Sequence, residues 1–413
     1  MLLASVLARL VRVGRLSVID AAGSRHVFEG SPGPSATIRL HDRALHWKLL
    51  LKPRLFIPEA YMAGTLTTEE GSSLYDFIDV MVSNDAANPN ALPLWLGQAA
   101  GRLVRRLHQY NPVPRARRNV AHHYDLSDQL YELFLDRDRQ YSCAYFASPD
   151  NDLDTAQENK KRHIAAKLLL RPGLKVLDIG SGWGGLALYL AAECGADVTG
   201  LTLSEEQHKV ATRRAAAAGL SDRVRFHLRD YREERGRYDR IVSVGMFEHV
   251  GVNQNPAFFR RLSDMLAPDG VALLHSIGRM DGPGTTNPWL RKYIFPGGYS
   301  PALSEVVPEV ESARLWITDV EILRLHYAET LRLWRRRFEQ NRDRIRALYD
   351  ERFCRMWEMY LVGAEISFRR GGSLVFQMQM AKAIETVPLT RDYMQDWERA
   401  HTALPESSAD RAA

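Results

Sequence analysis

The chain has 413 residues, enough for two or three domains and a sizeable core. Its 45% apolar and 25% charged content is that of an ordinary globular protein, and its formal net charge of +5 favours a polyanionic partner, nucleic acid or an anionic membrane surface. The three cysteines, Cys143, Cys194 and Cys354, have no metal-ligand spacing and argue against a disulfide framework, which fits a reducing cytoplasm; no apolar run reaches the roughly 18–20 residues of a membrane span.

The opening stretch MLLASVLARLVRVGRL lacks a basic start and is interrupted by Arg9, so it reads as mature chain. It also reads as a basic amphipathic helix, with Arg9, Arg12 and Arg15 on one side and Leu3, Leu7 and Leu10 on another. RLSVID and ATIRL alternate as strands do. PEAYMAGTLTTEEGSSLYDFIDVMV is expected to be a loop followed by a helix capped by Thr67 or Thr68. NDAANPNALP has the composition of a linker, and GRLVRRLHQYNPVPRARR (101–118) carries six arginines suited to anionic headgroups. These stretches make a first unit over residues 1–115.

From 116 to 280 strands alternate with helical patterns: LKVLDIG, ADVTGLTL, RVRFHLRD, YDRIVSVG and GVALLHSIG, the last preceded by a Pro268-Asp269-Gly270 turn. Such spacing implies a parallel sheet with helical crossovers. Residues 281–400 open with the Gly/Pro-rich MDGPGTTNP and continue as mostly helical sequence. Within them LRLWRRRFEQNRDRIR (331–346) holds seven arginines, read chiefly as a solvated helix face. The tail, 401–413, is expected to be disordered.

The stretch VLDIGSGWGGLALYLA fits strand, glycine turn and helix, with Gly180, Gly182 and Gly185 in G-x-G-x-x-G spacing. Alone this is a weak signal, shared by dinucleotide and S-adenosylmethionine sites and by turns that merely pack helix on sheet. A dinucleotide site calls for an acidic residue at the end of the second strand, but that end reads GLTLSEEQ, and Asp197 lies at its start. Asp178 stands just before the turn and is placed to order it. Asp230 closes the third strand, where an adenine amino group would be met. The balance favours S-adenosylmethionine.

Seven ordered blocks carry a family likeness: YSCAYF, LDIGSGWGG, GLTLSEEQ, RIVSVGMFEHVG, LLHSIG, KYIFPGGYSP and HYAETLRLW. Together they resemble the cyclopropane-fatty-acyl-phospholipid synthase family and the related mycolic acid cyclopropane synthases, most strongly from His122 to Met380. The resemblance implies a class I methyltransferase fold, a Rossmann-like α/β domain (116–400) with a seven-stranded, mostly parallel sheet and a helical insertion near 281–370. It also implies a smaller α+β N-terminal lipid-binding domain. The implied activity adds a methylene from S-adenosylmethionine across a cis double bond of a phospholipid acyl chain. The implied cofactor contacts are Tyr141, Ser142, Gly180, Gly182, Trp183, Gly184, Thr202, Ser204, Gln207, Asp230 and Tyr231. A bicarbonate ion is implied at Cys143, Glu248, His275, Tyr327 and the backbone of Ile277. The family further suggests a homodimer, and a cytoplasmic protein bound peripherally to the inner membrane surface.

Read as residues alone, these positions are ambiguous. Glu248 after the fourth strand is placed at the cleft edge of an open sheet or as a solvated carboxylate. His275 within an apolar strand is as easily a core histidine, Tyr327 on a helix is a core or rim residue, and Cys143 is a small buried hydrophobe. An alkene offers no proton for a base to remove, so the first step depends on positioning in a dry site; a base is needed only when the new methyl group loses a proton. Many relatives have a cysteine where this chain has Ala364, which leaves the product open between a ring and a methyl branch. The rival classes are a nucleic-acid methyltransferase, for which no recognition motif is visible, and a lipid carrier without catalysis. No metal site is expected.

Overall fold

The structure is a computed structural model in which residues 2–87 and 128–402 are described. Two sheets organise the chain. The first is four-stranded, in the order β2-β1-β3-β4, from β1 (Val13–Ile19), β2 (Arg25–Glu29), β3 (Ser31–Leu40) and β4 (Leu66–Glu69). The second has seven strands in the order β10-β11-β9-β8-β5-β6-β7. Five of them are β5 (Lys175–Ile179), β6 (Asp197–Thr202), β7 (Val224–Leu228), β8 (Tyr238–Val244) and β9 (Leu266–Arg279). They pair in parallel, whereas β11 (Ser373–Ala381) runs antiparallel to both β9 and β10 (Trp316–Ile322). Four of the five residues of β5 are buried, as a strand covered by helices on both faces requires.

All five strands expected between 174 and 278 form. Pro268-Asp269-Gly270 does not precede the fifth; it lies within β9, where the pairing to β8 shifts register between Tyr238 and Arg240. The arginine-rich and aromatic surroundings of 281–400 conceal β10 and β11, which complete the sheet.

The N-terminal part is more helical than its sequence suggests. PEAYM belongs to a helix over Pro53–Met62, and Thr67 and Thr68 lie on β4. The following helix, Leu74–Ala87, is started by Ser73, whose Oγ accepts from the Asp76 amide while its own amide donates to Asp76 Oδ2 at 2.8 Å. That helix takes in the first residues of the expected linker. Asn84 is buried and accepts the Arg12 and Val13 amides at 2.6 and 2.9 Å. The first helix stops at Leu10, so Arg12 falls beyond it and Arg15 sits on β1; the three arginines therefore share no helical face.

The two sheets are joined by one hydrophobic core, in which Leu16, Ile38 and Phe77 of the N-terminal part cluster with Trp334, Trp357 and Leu361. The long helix Glu351–Arg370 forms the seam, with Tyr61 donating to Glu358 at 2.9 Å across it. The expected boundary at 115, the six-arginine stretch and the tail beyond Thr402 lie outside the described residues.

Candidate active site

Two cavities meet above the carboxyl ends of β5 and β8. The smaller, about 140 Å³, is built on the glycine turn. Gly182 has φ +54°, and a Cβ there would point into open space; Gly184, at φ +84°, would drive a Cβ to 2.6 Å from the Phe226 ring. The first glycine thus leaves room beside the backbone, while the second permits close helix–sheet packing.

Tyr141, Ser142, Asp178, Gly180, Gly182, Trp183, Thr202, Gln207, Asp230 and Tyr231 all line this cleft. Gly184 and Ser204 do not. Gly184 caps the helix Gly185–Cys194, and Ser204 caps Glu205–Ala217 by accepting the Gln207 amide. The Asp230 carboxylate is engaged on both oxygens by Arg232, Oδ1 accepting its amide and Nε at 3.0 and 2.8 Å and Oδ2 accepting its Nη2 at 2.7 Å. Asp178 is buried, with Oδ2 lacking any hydrogen-bond partner in the protein, and burial pushes its carboxyl up to about 7. A dry carboxyl with an unpartnered oxygen, beside the backbone cradle of the glycine turn, suits a ligand that carries positive charge, as the sulfonium and amino groups of S-adenosylmethionine do.

Beneath the cleft lies Lys160, which the sequence reading did not single out. It sits on the helix Leu153–Lys167, is fully buried, and donates to Gln140 Oε1 at 2.7 Å and Ser142 Oγ at 2.8 Å. Burial lowers its ammonium to about 8, partly offset by Asp136. A lysine amid the mixed EN-KK-RH run of that helix gives no periodic sign that it points inward.

The larger cavity, about 650 Å³, is mostly apolar. Leu3, Leu7 and Leu10 of the first helix, Leu16 and Ile38 of the first sheet, and Phe77 line its far part. Cys143, Glu248, His275, Ile277 and Tyr327 come together in its lining, with Tyr360, Ala364 and Phe368 beside them; Cys354 is not among the lining residues. Tyr141, Ser142, Gly245 and His249 line both cavities and form their junction.

Glu248 is buried in the short helical turn after β8. Its Oε1 accepts the Ile277 amide at 2.6 Å; Oε2 has no partner of hydrogen-bond geometry. Burial raises its carboxyl to about 7, a shift that its backbone hydrogen bonds oppose. His275 lies on β9 opposite Gln377 of β11, with Nδ1 3.2 Å from Gln377 Nε2. Burial holds its imidazole down at about 3, so it is neutral at physiological pH. The Cys143 thiol donates weakly to the Ala144 carbonyl at 3.3 Å, and burial pushes it well above the usual thiol range, which removes it as a nucleophile. Tyr327 is buried against the Phe368 ring, with centroids 4.7 Å apart.

Among the described residues no group of acidic, histidine or cysteine side chains is arranged to hold a metal. No described helix is long and apolar enough to cross a membrane. In the arginine-rich segment 331–346, Arg332, Arg335, Arg337, Arg342 and Arg346 are all paired with carboxylates, so most of its charge is spent within the protein.

A seven-stranded sheet in this order, with a ligand cradle at the glycine turn after β5, defines a class I methyltransferase. The sequence pattern of the family described as mycolic acid cyclopropane synthetase matches residues 113–378, and the chain belongs to that family. It is 36% identical over 352 residues to the cyclopropane-fatty-acyl-phospholipid synthase of Escherichia coli strain K12, spanning 85% of this chain and 89% of that one. A probable fatty acid methyltransferase of Pseudomonas putida is 40% identical over 287 residues, 67% of this chain and 73% of its own. The solved structure of the cyclopropane synthase MmaA2 from Mycobacterium tuberculosis superposes with a TM-score of 0.62 at 34% identity, over 66% of this chain and 99% of that one. CmaA1, a mycolic acid cyclopropane synthase solved with SAH and CTAB, gives 0.61 at 34% identity, over 65% and 98%. The protein is therefore an S-adenosylmethionine-dependent methyltransferase of the cyclopropane synthase kind.

Proposed function

We propose that the protein converts a cis double bond in a membrane phospholipid acyl chain into a cyclopropane ring, the acyl chain lying in the larger cavity and the methyl donor in the smaller. The observation that supports this most is the junction itself. Tyr141, Ser142, Gly245 and His249 border both spaces, so a chain threaded through the apolar cavity would meet a donor seated on the glycine turn.

Bound S-adenosylmethionine supplies an electrophilic methyl carbon. The protein's part in the first step is to align the alkene and exclude water, which the apolar walls do. Methylation leaves positive charge on the chain, and the rings of Tyr327, Tyr360 and Phe368 in the same wall are suited to face it. Ring closure needs a base for the last proton. We assign that role to a bicarbonate held among Glu248, His275, Tyr327 and Cys143. The backbone of Ile277, part of the same expected set, already donates to Glu248, so it would orient the carboxyl more than the anion. A neutral Glu248, with its buried and unpartnered oxygen carrying a proton, can donate to an anion without repelling it. A protonated His275 is not needed and is disfavoured by its burial.

The reading extends to peripheral binding at an anionic inner membrane surface and to a homodimer, which sedimentation velocity tests directly. It is decided by expression in a host whose own synthase has been deleted, followed by lipid mass spectrometry and proton NMR. Gain of one CH₂ with the upfield ring-methylene signal establishes the ring. Gain without that signal establishes the second reading, a methyl-branched product, which Ala364 and the likeness to a fatty acid methyltransferase favour. No gain with retained cofactor binding would mean a lipid carrier.

A further inference from the structure

The short helix Leu45–Leu51 separates the large cavity from solvent and presents opposite characters on its two sides. Inward, Leu45 is buried, and Leu49 and Leu50 line the cavity together with Pro53 and Arg54 just beyond the helix. Outward, Trp47 is 62% and Leu51 76% exposed, one turn apart, with Lys48 and Lys52 exposed beside them. An indole and a leucine kept together in water are costly, and their coincidence on one helical face calls for a partner. Arg43, Lys48, Lys52 and Arg54 oppose Asp42 alone over 42–54, and that aspartate lies 3.8 Å from Lys48. Arg54 pairs with Asp85 at 3.0 Å; both line the cavity and both side chains remain 40% or more exposed, which marks where the cavity meets solvent.

We propose that this helix is the lip by which the protein docks on an anionic bilayer. Trp47 and Leu51 sink into the headgroup region, Lys48 and Lys52 take lipid phosphates, and the cavity mouth at Arg54 opens onto the leaflet. The inference rests on the reading of the large cavity as the acyl-chain site. Two features select a lipid surface over a protein partner: the apolar face continues directly into an apolar cavity, and it is flanked by cations that complement phosphate.

The test uses the full chain and vesicles of phosphatidylcholine with or without phosphatidylglycerol. Trp47→Ser/Leu51→Ser is expected to weaken vesicle flotation by on the order of tenfold or more, with S-adenosylmethionine affinity and melting temperature unchanged. Brominated lipid should quench wild-type fluorescence more than that of Trp47→Phe. Equal flotation of wild type and double variant, or equal quenching with and without Trp47, overturns the proposal. So does a change in oligomeric state with flotation unaltered, which would make the face a contact between copies. Wild-type protein that floats with no vesicle at all would instead overturn the membrane reading itself.

Discussion

The Ile277 amide donates to Glu248 Oε1 at 2.6 Å, tying β9 to the turn that follows β8 and leaving the second carboxyl oxygen buried and unpartnered. This fixes the carboxyl's orientation while withholding the solvation that would keep it ionised. Glu248→Ala removes the donor proposed to hold the bicarbonate, and Glu248 does not line the cofactor cleft, so cofactor affinity should persist while turnover falls by about 10²–10⁴-fold, the usual cost of losing a positioned base. Added bicarbonate should restore part of the rate. Wild-type turnover undiminished in bicarbonate-free buffer would make Glu248 the base instead.

The same carboxyl has a stability signature. Its folded value of about 7 exceeds the ordinary 4.5, so between these pH values the folded state holds a proton that the unfolded state has released. Stability is lost as pH rises through that window, and the penalty is complete above about 7. Glu248→Gln removes it, and should raise stability at pH 8 by on the order of 1–3 kcal/mol, with no gain near pH 4. Chemical denaturation at the two pH values checks the sign.

Gly182→Val should abolish S-adenosylmethionine binding, because its Cβ would project into the cleft. Gly184→Val should fail differently, by destabilising the fold against Phe226. Calorimetric titration paired with thermal melts separates the two. Unchanged affinity in Gly182→Val would remove the glycine turn from the cofactor site.

Lys160 should shape the pH dependence of cofactor affinity. Asp178 ionises above about 7, which favours a cationic ligand, and Lys160 loses its proton above about 8, which slackens its hold on Gln140 and Ser142. Affinity in the free enzyme should therefore rise through the first value and fall beyond the second. Lys160→Met should lower affinity on the order of tenfold, the loss of buried charge-assisted hydrogen bonds, abolish the alkaline limb, and move the acid limb to higher pH, because the Lys160 charge holds the Asp178 carboxyl down. An alkaline limb that survives in Lys160→Met belongs to another group.

Activity on vesicles should increase with anionic lipid and decline with salt, since screening shortens the reach of surface charge. Reversal of Arg115, Arg117 and Arg118, outside the described residues, should weaken vesicle binding and spare the cofactor. Equal flotation with neutral and anionic vesicles would count against both.

The glycine turn and the five strands around it were legible because strand, turn and helix there are each encoded locally. Glu248 and His275 were legible as a pair only through the family's ordered blocks, since their meeting depends on β8 and β9 being neighbours. β10 is hard to read because Asp319 and Glu321 break its apolar run, and β11 because it is buried on both faces yet carries the polar Gln377 and Gln379; the pairing of both is non-local. Lys160 left no signal, as its burial is set by the loop above it. The arginines of the first helix were misplaced because propensity continues past Leu10, whereas Asn84, over seventy residues away, captures the Arg12 and Val13 amides and ends the helix there.

The junction of the two cavities also bears on traffic. The cofactor cleft is bordered by Arg229, whose side chain is 42% exposed, and the larger cavity reaches solvent elsewhere, beside Arg54. With the Arg54 mouth docked on a bilayer as proposed, spent donor would leave and fresh donor arrive through one door while the other stayed pressed to the leaflet. An enzyme so docked would have no need to desorb between turnovers; it would scoot along one vesicle, modifying neighbouring lipids in succession before visiting a second.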